Sequence, residues 1–317
     1  MPVYASMLAA ILPMIFYLII IWRMDKYDRE PFTAVMIHFF WGSFGAVILA
    51  LIGTSILNAA SSPLTNSNQN SFLQIVLFAP LSEEFAKGVF LIYTVNKKDF
   101  DNITDGLVYG CAIGLGFGMT ENFIYFITYG NSLTSWFYIV IIRSLFSAVM
   151  HAIATGTFGA FLGLAKFSSS WVKIVLPLAG LITAMFIHFM WNYSVSFEST
   201  YLLGMIFIFL CIQFFFFVFK LSIENEKKII QRELSEEIEL GFIPDAHLNI
   251  LSGLKRFKSG WIDESIRKQY TKAAVRLAFS KNQLKKAKDY RKTYYESEIE
   301  KNRVLIRGIL SINLKTE

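Results

Sequence analysis

Ionisable and amide side chains sit in stretches that are otherwise apolar. Ser82-Glu83-Glu84-Phe85-Ala86-Lys87 lies in one such run and Glu121-Asn122 in the next. Arg143, His151 and Thr155 share a third, and His188 and Asn192 a fourth. An ionisable group at membrane depth is costly and tends to be kept for function. This set answers the needs of peptide hydrolysis. A carboxylate removed from water is a stronger base and can activate a water. His, Asn or Arg can hold the oxyanion of the tetrahedral intermediate or orient that water. Two His and a Glu also make the ligand count of a catalytic zinc site with an open position, and His151, His188 and Glu121 are its candidates. No H-E-x-x-H helix is present, so zinc ligands would come from separate helices, and the spacing leaves zinc open. Two other functions could use the same groups. Buried carboxylates, His and Lys serve proton relays in ion-coupled transporters, although no inverted repeat or broken-helix pattern stands out. A catalytically inactive scaffold or receptor is the other alternative.

Helical spacing organises the set. Lys87 follows Glu83 by four residues and Glu84 by three, so it can reach either carboxylate. Arg143, Ser147, His151, Thr155, Gly159 and Gly163 recur every fourth residue and form one ridge, and His188 and Asn192 repeat that interval. Gly106, Gly110, Gly114, Gly118 and Asn122 do the same. Small residues at this spacing let helices approach closely, which would seat that helix deep in a bundle and bring Glu121 inward. Asn122 and Thr155 read as helix-to-helix hydrogen-bonding groups, Arg143 as a counter-ion, Asp105 as a helix cap and His38 as a packing residue.

The elements that must carry these groups are membrane spans. The chain has 317 residues, 54% of them hydrophobic, with mean hydropathy +0.46. A span needs about 20 mostly apolar residues. Seven segments qualify: 5–22, 33–57, 72–95, 106–128, 136–165, 172–195 and 200–220. The first lacks the basic leader and small-residue cleavage site of a signal peptide and reads as a retained span. Basic residues mark alternate loops: Arg23, Lys26 and Arg29, then Lys97 and Lys98, then Lys166 and Lys173. Loops 58–71, 129–135 and 196–199 carry no Lys or Arg. Positive charge stays on the cytoplasmic side. The expectation is a multi-pass protein of the cell membrane, N-terminus outside and C-terminal tail in the cytoplasm.

Two domains follow: a transmembrane domain over 1–220 and a helical tail over 221–317. The tail holds 20 basic and 14 acidic residues, and Lys220 stands immediately before it. It reads as a solvated helical appendage near anionic headgroups. Val275, Leu277, Ala278, Phe279 and Leu284 suggest an amphipathic helix, and Gly241-Phe-Ile-Pro244 and Ser259-Gly260 read as breaks. The bilayer is an expected partner, and no nucleic-acid-binding motif appears. Cys111 and Cys211 both lie in apolar runs and offer neither a disulfide framework nor a thiolate metal site.

Taken in order, these motifs resemble the PrsW family of intramembrane proteases, distantly similar to CAAX prenyl endopeptidases and bacteriocin-processing membrane proteins. The resemblance covers most of 1–220. It rests on Asp25-x-x-Asp-Arg-Glu-Pro31, Glu83-Glu84-x-x-Lys87, and Asp105-Gly-x-x-Tyr-Gly110 leading to Gly114-x-Gly-Phe-Gly-x-x-Glu121-Asn122-x-x-Tyr125. His151-x-x-x-Thr155 and His188-x-x-Trp191-Asn192 complete it. Each motif alone is short; their order on successive spans is specific. The resemblance implies an all-α membrane bundle that hydrolyses a peptide bond of a membrane-anchored protein, of which an anti-sigma factor is the best-known example. It makes Glu83 and Glu84 the paired motif glutamates, one of them the base. Lys87 takes the basic position, Glu121, His151 and His188 the other essential polar positions, and Asn192 an Asp/Asn position. Metal dependence and glutamate dependence both remain open.

Overall fold

Apolar composition and good helix formers give helices throughout. The computed structural model describes residues 2–97, 100, 102–287 and 289–313, and no strand occurs among them. Helix α1 is Val3–Met24 and α2 is Phe32–Leu64. Helix α3 runs over 67–95 through Ser67–Leu73, Gln74–Phe78 and Ala79–Val95. Helices α4 (Ile103–Tyr129), α5 (Leu133–Ala165), α6 (Val172–Val195) and α7 (Tyr201–Glu239) follow. Six of these seven are long and apolar enough to cross a membrane; α3 is not in that set, since Glu83, Glu84 and Lys87 fall in its middle. The expected seventh span ends at 220, but α7 continues to Glu239, because no breaker intervenes before Gly241, whose φ is 74°.

The glycine ridge does what its spacing predicts. Helix α4 is the buried centre of the bundle and packs along α5. A Cβ on Gly110 would lie 2.4 Å from the Thr155 carbonyl oxygen, and one on Gly114 would lie 2.3 Å from that of His151. The two backbones therefore touch, and this contact sets His151 against α4. The cap of α4 differs from expectation. Asn102 is the N-cap and accepts from the Thr104 and Asp105 amides at 2.6 and 3.2 Å. Asp105 is the reciprocal partner, accepting from the Asn102 amide at 3.2 Å, because a box needs its second acceptor three residues in.

Three helices contain a π-helical turn: Trp41–Ala46 in α2, Gln74–Phe78 in α3 and Arg143–Ser147 in α5. Such turns concentrate at functional sites. The last one interrupts the expected straight ridge between Arg143 and His151. The Asp25–Pro31 segment ties α1 to α4. Asp25 accepts from the Glu30 amide at 3.1 Å, the Glu30 carbonyl accepts from Trp22 at 2.8 Å, and the Glu30 carboxylate accepts from the Tyr109 hydroxyl at 2.5 Å. His38 contacts the Ala34 carbonyl at 2.7 Å and Thr94 at 2.9 Å and stacks on Tyr109.

The chain divides into two compact units, Met1–Asp25 with Arg29–Phe219, and Lys26–Asp28 with Lys220–Glu317. The second is more than a solvated appendage. Helices α8 (Leu248–Leu251), α9 (Glu264–Leu284) and α10 (Asp289–Asn313) join the end of α7 around a core of Ile230, Leu234, Leu251, Tyr270, Leu277 and Ile306. Each helix alone shows few apolar positions, and only their assembly makes a core. Gly241 and Gly260 take the left-handed backbone, with φ of 74° and 88°, at the two expected breaks. Inside this unit, Glu237 accepts two bonds from Arg303 at 2.8 Å and one from Lys281 at 2.6 Å. Burial opposes its ionisation, but these cations outweigh it and hold the carboxyl below its ordinary value.

Candidate active site

The close α4–α5 contact and the polar turns of α3 and α6 bring the singled-out side chains to one place in the first unit. Glu84 is its buried hub, with 1% of its side chain exposed. Its Oε1 lies 2.7 Å from Lys87 Nζ and 3.0 Å from His188 Nδ1, and its Oε2 accepts from the Thr155 hydroxyl at 3.0 Å. Lys87, fully buried, also reaches His151 Nδ1 at 2.9 Å and Glu83 at 3.4 Å. Its ammonium stands 3.8 Å from the centre of the Phe117 ring.

On the other side of His151, Nε2 lies 2.7 Å from Glu121 Oε2, and Arg143 Nη2 lies 2.8 Å from that same oxygen. Arg143 Nε donates to Asn122 at 3.1 Å, and the guanidinium covers the Tyr125 ring at 3.6 Å. Asn192 donates to the Ile75 carbonyl at 2.9 Å, within the π turn of α3. The structure thus gathers Glu83, Glu84, Lys87, Glu121, Asn122, Arg143, His151, Thr155, His188 and Asn192. Asn122 bridges to α5 through Arg143, and Thr155 bridges to α3 through Glu84, as helix-to-helix groups.

The partners assign the His tautomers, since carboxylates accept and ammonium donates. Lys87 donates to His151 Nδ1, so the proton of His151 is on Nε2, facing Glu121. His188 donates from Nδ1 to Glu84, which leaves Nε2 as an acceptor 3.9 Å from Glu83 Oε2. That gap is too long for a hydrogen bond and admits one bridging atom.

A cavity of about 610 Å³ opens beside this cluster, lined by Glu83, Glu121, Arg143, His151 and Asn192 among others. Glu84 and Lys87 do not line it. The paired glutamates are therefore unequal: Glu83 faces the cavity and Glu84 lies behind it. From the polar cluster the cavity extends toward Gln74, Tyr129, Tyr138 and Tyr201. These flank the loops that lack Lys and Arg.

The metal set differs from the sequence expectation. Glu83, His151 and His188 offer ligand atoms within 4.8 Å of one another. Glu83 takes the place expected for Glu121, because Arg143 and the His151 Nε2 proton draw the Glu121 carboxylate to themselves. The donor set fits a metal ion. Glu84 behind His188 Nδ1 is the outer-shell carboxylate that such a ligand needs.

Sequence reasoning quoted Phe117 and Tyr125 as motif positions without giving them a role; they lie four residues before and after Glu121. That interval places all three on one helical face and was the available signal. Sequence reasoning missed Tyr138 and Tyr201, whose hydroxyls meet at 3.2 Å from two different helices; nothing in their spacing links them.

Buried Glu–His–Lys chemistry opening into a cavity among membrane-crossing helices is what an intramembrane protease requires. The sequence profile described as PrsW family intramembrane metalloprotease matches residues 30–220, and the chain belongs to that family. It is 26% identical over 204 residues to Protease PrsW of Bacillus subtilis (strain 168), covering 64% of this chain and 88% of that one. It is 29% identical over 223 residues to Protease PrsW of Oceanobacillus iheyensis, covering 70% and 97%. The protein of that name from Geobacillus kaustophilus is 28% identical over 160 residues, covering 48% and 66%. No solved structure matches.

Proposed function

We propose that Glu83 is the water-activating base of this protease, and that Glu84, Lys87 and Thr155 hold the site in place from behind. The observation that carries this is the asymmetry of the pair. Glu83 borders the cavity beside His151 and the free nitrogen of His188, whereas both Glu84 oxygens are engaged in buried bonds. In this reading Glu83 removes a proton from a water as its oxygen attacks the scissile carbonyl carbon. Arg143 and Asn192, at the cavity wall, donate to the oxyanion. The proton passes from Glu83 to the leaving nitrogen as the C–N bond breaks, giving a carboxylate and an amine. Glu121 keeps Arg143 and His151 oriented. If a metal is bound, Glu83, His151 and His188 hold it, and it supplies a polarised carbonyl and a more acidic water.

The substrate we propose is a membrane-anchored protein cut in the outer half of the bilayer. An anti-sigma factor is the first candidate, on the strength of the family resemblance. The protein, reconstituted in vesicles with single-span proteins of its host membrane, is expected to release two fragments of one of them. Chelator treatment then separates the mechanisms: lost cleavage, restored by Zn²⁺, supports the metal, and unchanged cleavage supports glutamate alone. Equal cleavage by wild type and His188→Ala would contradict the site.

A further inference from the structure

Apart from Lys220, the second unit lies outside the residues that the family match covers. Within it, Gly253 breaks the chain after α8, and Leu254–Phe257 forms one 3₁₀ turn. Residues three apart eclipse in such a turn, so Leu254 and Phe257 project together. They are 59% and 54% exposed, although the same unit buries Ile230, Leu234 and Leu277 in a core. Large apolar groups held side by side at a surface mark an interaction site. Lys255, Lys258 and Ser259 beside them are exposed as well, and only Arg256 turns inward.

Arg256 fixes where this turn stands. It donates to the Lys26 carbonyl and, at 3.3 Å, to the Leu251 carbonyl. Its guanidinium lies 4.0 Å from the centre of the Tyr27 ring and 4.6 Å from that of Phe257. The Tyr27 hydroxyl donates to the Ser252 carbonyl at 2.7 Å. The turn is thus fastened to Lys26 and Tyr27, the second and third residues after Met24, where α1 ends. At about 3.5 Å per residue, Tyr27 lies no more than about 10 Å from that end. Helix α1 has 22 residues. That is about 33 Å of helix, close to the thickness of the hydrocarbon core. Trp22 and Arg23 close it with side chains suited to the headgroup level. The headgroup layer adds about 5–8 Å on each side. Chain connectivity alone therefore keeps the turn at the membrane surface.

We propose that Leu254 and Phe257 insert among the lipids of that leaflet while Lys26, Lys255 and Lys258 hold anionic headgroups. Residues 26–28 and 252–258 carry the cations Lys26, Lys255, Arg256 and Lys258 against one acid, Asp28, which faces Arg276 at 3.9 Å. The next acids along the chain are engaged. Asp263 accepts from the Ser265 amide at 2.8 Å, and Glu264 pairs with Arg267 at 2.8 Å. Apolar groups flanked by lysines match the acyl boundary and the phosphates above it. A second copy of this chain would set the same cations against these, and like charges brought together oppose association.

The test uses the full chain in vesicles. In a Cys111→Ala, Cys211→Ala background, Ser259→Cys carries a nitrobenzoxadiazole dye, which leaves Leu254 and Phe257 in place. Leu240→Cys, labelled alike, is the control. Leu240 is 60% exposed but stands at the far end of α7, about 30 Å along the helix from Lys220. Vesicles of phosphatidylcholine are made with and without phosphatidylglycerol, and all contain a lipid with a nitroxide quencher near its headgroup. In the anionic vesicles the dye at 259 is expected to shift to the blue and lose about half its emission or more, while the dye at 240 changes little. Leu254→Ser with Phe257→Ser, and separately Lys255→Gln with Lys258→Gln, should each return the signal at 259 to its level in phosphatidylcholine alone, at an unchanged melting temperature. No quenching at 259 in anionic vesicles would overturn the proposal, and so would equal quenching at 259 and 240. Equal quenching at 259 with and without phosphatidylglycerol would overturn the role given to the lysines. A blue shift without quenching that grows with protein density would assign the face to a second copy and overturn the lipid contact.

Discussion

At the residue scale, the proposed function turns on two adjacent glutamates in unlike surroundings. Lys87 is a buried cation whose charge is balanced by Glu84 and Glu83 at 2.7 and 3.4 Å. Breaking such a pair from one side leaves an uncompensated charge and costs about 3–5 kcal/mol. Lys87→Met is therefore expected to lower the melting temperature in detergent markedly as well as abolish cleavage, and a protein that stays as stable as wild type would contradict the buried role. Thr155→Val removes one bond to Glu84 and is expected to cost about 1–2 kcal/mol with a partial loss of activity, read in the same melting assay. The polar residues were legible in the sequence because ionisable groups in apolar runs stand out. Their ranking was not. The residues 83 and 84 differ by about 100° around a helix, and which of them faces a cavity depends on where α6 packs, a long-range fact.

At the element scale, the α4–α5 contact positions His151. Gly114→Leu would push a side chain into the His151 carbonyl oxygen, which lies within 2.3 Å of the Cβ position. The helices would have to separate, at a cost of about 1–3 kcal/mol or more. The expected result is loss of activity with retained helicity by circular dichroism; wild-type cleavage would contradict the close contact. This ridge was plain from its four-residue glycine repeat. The π turns were not, because one extra residue per turn leaves little trace in a hydrophobic pattern. The tail core was also hidden, since α7, α9 and α10 each supply a thin stripe of it. Its stability should depend on pH. Glu237 titrates below its ordinary value in the folded unit, so it contributes stability above the unfolded carboxylate value, about pH 4.3, and that stability is lost as pH falls through its folded value. Acid unfolding, followed by Trp261 fluorescence, is expected to shift to higher pH in Arg303→Ala and to flatten in Glu237→Gln.

At the scale of the whole molecule, six helices suited to cross a membrane and one carrying the site charges account for the apolar composition. The distribution of Lys and Arg among the loops predicts the N-terminus outside and the tail in the cytoplasm. Single cysteines at Asn66 and at Lys285 should then react oppositely with a membrane-impermeant maleimide applied to intact cells, the first labelled and the second protected. Labelling of the second alone would reverse the orientation and put the cavity mouth on the cytoplasmic side. Apolar length is a local property, so six of the seven expected spans were legible, but the 72–95 segment is not long and apolar enough to count among the membrane-crossing helices of the described residues, and the cavity needed the assembled bundle.

The most direct measurement compares Glu83→Gln with Glu84→Gln in one preparation, reading vesicle cleavage and melting temperature together. The account predicts that Glu83→Gln loses cleavage by a factor of about 10² or more, the usual size of a general-base contribution, at unchanged or higher melting temperature. Glu84→Gln should lose both activity and stability, because Lys87 and His188 lose their buried carboxylate. The reverse pattern, with Glu84→Gln stable and inactive and Glu83→Gln active, would contradict it and assign the base to Glu84.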